Sequence, residues 1–296
     1  MNEDVPALLE VLSTRLFPKG MGADRYQLTG IAARSDWVVL SDNHKPKVHF
    51  VGCPDIQPRT VFVSMRGGFD ALGYFHDEIL PEITQPFILI TGSEDITLPK
   101  QVDDRWQAFT VPERQRIADL LDDSRLIHWF AENLDTHHPR MSPLPLGLLP
   151  SEDGRLDKVR VPDVLPLSHR KQFVFCAHRI RRGKQWDERR QVSDLCRSHF
   201  RSFCTLVEES LPADEFLRQL ESHVFVMCVR GGGLDPCPKA WQAILHGAIP
   251  IIRSSTLDEA YRQLPIVIIK DWAPNALSQE FLDKELARLR CFYDES

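Results

Sequence analysis

The sequence predicts an α/β protein with mainly parallel sheets, divided into two domains. Three observations predict it. Short apolar runs alternate with helical patterns along the whole length. A chain of 296 residues suits two domains of roughly 100–200 residues, with one large α/β domain as the alternative. Between the halves lie Pro143-Leu144-Pro145-Leu146-Gly147, Pro150-Ser151-Glu152-Asp153-Gly154, Pro162 and Pro166, a proline density that breaks regular structure and suits an interdomain connection. The boundary is placed near residue 155, giving domains 1–155 and 156–296. Two such domains facing across a cleft put the carboxyl ends of both sheets at that cleft, where open sheets bind ligands.

The elements follow in order. Val5–Leu16 carries a helical pattern, and Trp37–Leu40, Val61–Ser64, Phe87–Thr91 and Leu126–Phe130 are apolar runs closed by Gly, Asp or Asn loops, hence strands. Pro112–Leu121 is the helix before the last of them. In the second half the strands are Gln172–Ala177, His223–Cys228, Ile249–Arg253 and Ile266–Ile269, and the helices Glu188–Phe200, Ala213–Glu221, Lys239–His246 and Leu277–Arg290.

Composition excludes several classes. With 43% hydrophobic and 26% charged residues, 15 Gly and 21 Pro, the chain is an ordinary globular one and not disordered, collagenous or fibrous. No run approaches the ~18–20 apolar residues that cross a bilayer, and Met1-Asn2-Glu3-Asp4 has acids where a signal peptide carries Lys or Arg. The expectation is a cytoplasmic protein, neither exported nor membrane-spanning, with peripheral membrane contact left open. A net charge of -6 gives no general attraction to nucleic acid, so none is expected as a partner, although a local basic patch can bind phosphate. Seven cysteines with no C-x-x-C spacing speak against a disulfide framework and a structural zinc site.

The most informative stretch runs from Phe225 to Ile252 and reads as strand, Gly-rich loop, helix, Gly stop, strand. Gly231, Gly232 and Gly233 let backbone approach a ligand, Pro238 suits a helix's first turn, and the amides of that helix can hold an anion. Arg230 and Lys239 flank the loop and can neutralise a diphosphate. The plainer reading is a tight β-α turn with exposed basic residues. Neither a Walker A loop nor a G-x-G-x-x-G fingerprint is present.

The run Gly231-Gly232-Gly233-Leu234-Asp235-Pro236-Cys237-Pro238-Lys239-Ala240-Trp241-Gln242-Ala243, followed by Gly247-Ala248-Ile249-Pro250-Ile251, resembles the pattern of exostosin-like glycosyltransferases. Weaker echoes of related proteins are Ile90-Thr91-Gly92-Ser93-Glu94-Asp95 with Pro99, and Trp129-Phe130-Ala131-Glu132-Asn133 with Leu144-Pro145-Leu146-Gly147. The resemblance implies a GT-B-like fold of two Rossmann-like domains: an acceptor-side N-terminal domain, and a C-terminal domain that holds a nucleotide-sugar donor. It implies transfer of a hexosyl or pentosyl group to a hydroxyl acceptor, inverting, without cofactor or bound metal, with a UDP-sugar as the leading donor. Arg189, Arg230, Gly231, Gly232, Gly233 and Lys239 would hold the diphosphate, and Asp235 and Gln242 would orient donor hydroxyls or the loop. Two departures stand out: Lys239 replaces the family's usual Arg and loses its bidentate fork, and Gln242 replaces a Glu.

A second basic segment, His178-Arg179-Ile180-Arg181-Arg182-Gly183-Lys184 with Glu188-Arg189-Arg190, follows the first strand of the second half. Arg189 is its best phosphate ligand; a solvated charge cluster or nucleic-acid patch is the rival reading. For the base that takes the acceptor proton, Asp70, Glu94, Asp95 and Glu132 stand at strand ends. Asp95 is preferred, four residues past Thr91. His128, Glu132, His137 and His138 lack the spacing of a metal site. Trp129, Trp241 and Trp272 are read as packing residues. The alternative function is a non-catalytic nucleotide-sugar or glycan binding protein on the same frame.

Overall fold

A computed structural model describes residues 13–16, 28–41, 46–51, 53–148 and 164–293. The chain forms two compact units, Met1–Val159 with Gly233–Asp235, and Arg160–Gly232 with Pro236–Ser296. Both are α/β with a sheet that is mostly or wholly parallel. The expected boundary near 155 lies outside the described residues. Residues 233–235 go with the first unit, whereas the sequence reading assigned the whole Gly-rich loop to the second.

In the first unit, β1 (Trp37–Leu40), β2 (Lys47–Phe50), β3 (Thr60–Ser64), β4 (Phe87–Gly92), β5 (Leu126–Ala131) and β6 (Met141–Pro143) form a sheet of order β2-β1-β3-β4-β5-β6. Only β2 is antiparallel, paired with β1 at one edge. β1 is buried on both faces, as a strand covered on each side of a parallel sheet should be. β2 has exposed ends and half-buried centres, a polar edge whose pattern left it unread in the sequence. The short edge strand β6 ends in Pro143 and was also missed. Helix α1 (Asp70–Tyr74) is one turn long, too brief to show a period. Helix α2 (Val111–Asp122) begins with a full capping box, in which Thr110 accepts from the Glu113 N–H and the Glu113 carboxylate accepts from the Thr110 N–H. Leu16, Ala32, Val38, Leu40, Phe62 and Ile90 pack together as one core cluster. The expected helix Val5–Leu16 falls largely outside the described residues. Its end is corrected: Ser13 bridges Gly147 and the Thr14 N–H donates to Leu146 O at 3.0 Å, so this backbone is spent on strand-like pairing.

The second unit alternates β7 (Lys171–Ala177), α3 (Asp187–Arg197), β8 (Cys204–Val207), α4 (Ala213–Ser222), β9 (His223–Met227), α5 (Pro238–Leu245), β10 (Ile249–Arg253), α6 (Asp258–Tyr261), β11 (Val267–Ile269) and α7 (Gln279–Leu289). Its sheet is wholly parallel, in the order β11-β10-β9-β7-β8. The chain steps from β7 to β8 on one side and then crosses to β9 on the other, so the strand order reverses between β7 and β9. Loops after those two strands therefore diverge at their carboxyl ends, the place where open α/β sheets hold ligands. Val174, Phe225, Met227, Ile249, Ile251 and Val267 form the sheet's contribution to the core, and α3 adds Val192 and Leu195. β8, a half-buried edge, and α6, a single turn, were not foreseen.

Among the described residues no helix is long and apolar enough to cross a membrane.

Candidate functional site

At the carboxyl edge of the second unit's sheet, cations gather around the point where the strand order reverses. Arg230 follows β9, Arg253 ends β10, Arg189 rises from the first turn of α3 and Lys239 from the first turn of α5. The sequence put Lys239, Arg230 and Arg189 on the diphosphate, and the fold brings all three to this one edge.

Their bonding is not uniform. Arg189 donates from Nε to Arg230 O at 3.0 Å, from Nη1 to Arg179 O at 2.9 Å and from Nη2 to Val229 O at 3.4 Å, and its guanidinium lies 4.5 Å from the centre of the Trp186 ring. It therefore staples the loop after β7 to the loop after β9, with a cation–π contact behind it. Gly231 is required for this, because a Cβ there would come within 2.5 Å of Arg189 Nη2. Lys239 is buried and donates from Nζ to Ala177 O at 2.7 Å, joining α5 to the end of β7. Gln242 is half-buried one turn further along α5, and Gly232 is half-buried in the loop. Trp272 is buried, and Trp241 is half-buried against Tyr261 with ring centres 5.9 Å apart.

Cys237, passed over in the sequence, precedes α5 with φ +90°. A hydrogen bond from Cys228, then the Lys239 and Arg189 cations, draw its thiol down to about 6 against the opposing effect of burial. Arg253 and Glu188 were also missed. Arg253 lies two residues past the matched Ile251, and the readable signal was its place at the end of a strand. Glu188 accepts from Arg230 and the Trp272 indole and is ion-paired with Arg253. Burial pushes its carboxyl above the usual range although Arg253 opposes this. Beside this cluster a cavity of about 350 Å³ opens, lined by Asp271, Asn275 and Phe281 among others.

In the first unit the carboxyl ends of β4 and β5 carry a buried ionic network. Arg15 places Nη2 2.5 Å from Glu132 Oε1 and 2.7 Å from Asp95 Oδ1. Thr14 Oγ1 and the Ser93 N–H both donate to Glu132 Oε2, at 2.6 and 2.7 Å. Arg105 Nη2 takes the second Asp95 oxygen at 2.8 Å. Burial raises the Asp95 carboxyl, but Arg15 and Arg105 outweigh it and hold the group at about 2. Glu132 is driven the other way, burial lifting it against the pull of Arg15. Asp70, set aside in favour of Asp95, opens α1.

The remaining loop residues of the motif belong to this unit. Asn133 Oδ1 accepts the Leu234 and Asp235 N–H groups at 2.8 and 3.1 Å while its Nδ2 donates to Glu94 O at 3.1 Å, and Asp103 accepts the Gly233 N–H. Asp235 is buried, and its Oδ2 lies 3.4 Å from the Leu146 N–H. The bonds that Gly233 and Asp235 make thus anchor the loop. Trp129, fully buried, donates from Nε1 to Thr91 Oγ1 at 2.9 Å and is a core residue.

No protein-family model matches the chain, and no curated protein matches its sequence. Compared by structure, it is similar to a solved structure described as "Crystal Structure Analysis of the Glycotransferase of kitacinnamycin", over 80% of this chain and 72% of that one, at 12% identity and a TM-score of 0.31. At that score the likeness assigns this chain neither a fold family nor an activity.

Proposed function

We propose that the protein is a glycosyltransferase of exostosin-like, GT-B type that moves a hexosyl or pentosyl group from a nucleoside-diphosphate sugar to a hydroxyl acceptor. The observation that carries this reading is the cationic carboxyl edge of the second sheet, where Arg189, Arg230, Lys239 and Arg253 meet beside the point of strand-order reversal. The order and spacing of Gly231 through Ile251 support it. In this reading Arg230 and Lys239 neutralise the diphosphate, where negative charge grows as the leaving group departs. Arg189 is a positioning residue: it fixes the two loops that present those cations. Gln242 accepts from a donor hydroxyl through its amide oxygen. The acceptor side belongs to the first unit, and Asp95 takes up its proton only once Arg105, the more exposed of its two partners, releases an oxygen.

That last requirement favours a second reading, a nucleotide-sugar binding protein without transfer. Both Asp95 oxygens are held by guanidiniums, and a carboxylate near pKa 2 has little proton affinity at neutral pH.

The first experiment is thermal shift and calorimetry with UDP, GDP, CDP and their sugars, with and without a divalent ion, on wild type, Lys239→Met and Arg230→Gln. Stabilisation by one nucleotide family, independent of the ion and lost in both variants, is expected. No shift with any of them would overturn the donor site. Nucleoside diphosphate release on adding acceptor hydroxyls, reduced in Asp95→Asn, then separates the transferase from the binder.

A further inference from the structure

Two guanidiniums and an indole N–H converge on one carboxylate at the edge described above. Glu188 Oε2 accepts from Arg230 Nη2 at 3.0 Å and is ion-paired with Arg253 Nη2 at 2.9 Å, and Oε1 accepts the Trp272 indole N–H at 2.9 Å. The donors follow or end three neighbouring strands, β9, β10 and β11, at the same end of the sheet, whereas the carboxylate reaches in from the first turn of α3. Two guanidiniums and an indole N–H aimed at one spot make a cradle for an oxyanion.

We infer that this cradle is a subsite for a phosphoryl or similar tetrahedral dianion, and that Glu188 occupies it until such a group displaces the carboxylate. Three features separate a displaceable occupant from a fixed structural pair. The pair is reachable: the side chains are 17% exposed for Glu188, 22% for Arg230 and 26% for Arg253. The match is incomplete, because Arg253 engages end-on through Nη2 and leaves its buried Nε without a partner, a donor that an anion with three free oxygens would use side-on. The charge is also incomplete, since among the described residues the edge sets Arg189, Arg230, Lys239 and Arg253 against Glu188, Asp271 and the lowered Cys237 thiol, so replacing one carboxylate by a dianion improves the balance.

Protonation of Glu188 has the same consequence as its displacement. The charged or polar groups facing it are Arg230 after β9, Arg253 on β10, Asp271 and Trp272 after β11, and Arg189 on its own helix. Burial lifts Glu188, so it recovers a proton earlier than an ordinary glutamate as pH falls. Anion affinity therefore rises on acidification. The inference deepens the donor reading, on which it rests for the identity of the natural ligand.

The test titrates inorganic sulfate, a dianion throughout pH 5–8, into wild type, Glu188→Gln, Glu188→Gln/Arg253→Met and Glu188→Gln/Trp272→Phe by calorimetry, with melting curves to confirm folding. Glu188→Gln should bind sulfate about tenfold more tightly than wild type at pH 7.5, the worth of one nearby unit charge under solvent screening. Wild-type affinity should climb more steeply as pH falls than that of Glu188→Gln, in which the Cys237 thiol beside Arg189 and Lys239 still titrates, and each double variant should lose most of the gain. Equal affinity of wild type and Glu188→Gln, or a gain that survives removal of Arg253, overturns the subsite. The two readings fail separately: a gain in sulfate binding with no nucleotide binding leaves the subsite and removes the donor assignment, and nucleotide binding without the gain does the reverse.

Discussion

Replacing Arg15 by Met tests the electrostatic account of the first unit. The guanidinium is the shared partner of Glu132 at 2.5 Å and Asp95 at 2.7 Å, and Glu132 is almost wholly buried. Met fills much of the same volume but leaves Glu132 with only the Thr14 hydroxyl and the Ser93 N–H. Breaking one side of a buried pair costs about 3–5 kcal/mol, because the remaining charge is uncompensated. Part of this comes through Asp95, whose carboxyl sits at about 2 in the folded chain and rises without Arg15, although Arg105 still holds its second oxygen. At roughly 2–4 °C per kcal/mol the first unit should melt roughly 6–20 °C lower. The loss must also depend on pH. In the variant Glu132 has a folded pKa well above its unfolded one, so its penalty is fully present at high pH and shrinks as pH falls, by up to ~1.4 kcal/mol per unit. Urea unfolding followed by hydrogen exchange on peptides covering residues 87–93 and 126–133, at pH 7 and pH 5, reads this unit by itself. Glu132→Gln added to Arg15→Met should restore about half the loss. A loss under about 1 kcal/mol, or one equal at the two pH values, refutes the reasoning.

Other expectations are more local. Gly233→Ala should cost about 2 kcal/mol, because φ is +61° and a Cβ would stand 2.5 Å from Asn133 Oδ1 and 2.9 Å from Asp95 O; unchanged melting would contradict the anchoring of residues 233–235. Cys237 should alkylate with a midpoint near pH 6, moving upward in Lys239→Met as a cation is removed; a midpoint near the ordinary thiol value of about 8.5 would show that those cations do not act on it. Thr110→Ala should lower stability by about 1 kcal/mol through loss of the α2 capping box, visible as faster exchange at the start of that helix.

The strands that form the sheet centres were legible because parallel strands buried on both faces are written as unbroken apolar runs. Trp37–Leu40 and Ile249–Arg253 have the bounds the sequence predicts, and the remaining predicted strands differ at their ends by about a residue. Lys47–Phe50, Met141–Pro143 and Cys204–Val207 were not legible, since these three edge strands are half solvated or very short and carry no unbroken apolar run, unlike the edge strand Val267–Ile269. The Gly-rich loop and its flanking cations were visible as a linear motif, and the fold does bring Arg189, Arg230 and Lys239 to one sheet edge. The hydrogen-bonding roles were not visible. That Arg189 spends its donors on three backbone carbonyls, that Asp95 is gripped by residues 80 positions before and 10 positions after it, and that Arg253 converges with Glu188 are facts about atoms far apart in the chain.

By itself, then, the sequence determined an α/β protein of parallel strands with a basic, glycine-rich loop at a strand end, because burial pattern and backbone freedom are properties of neighbouring residues. Only the tertiary structure decided the strand order that makes β7 and β9 diverge, the division of the loop that puts 233–235 with the first unit, and which charges neutralise one another. Those depend on distances of a few ångströms between groups as much as 130 residues apart, and Coulomb and hydrogen-bond energies are set by such distances, not by position along the chain.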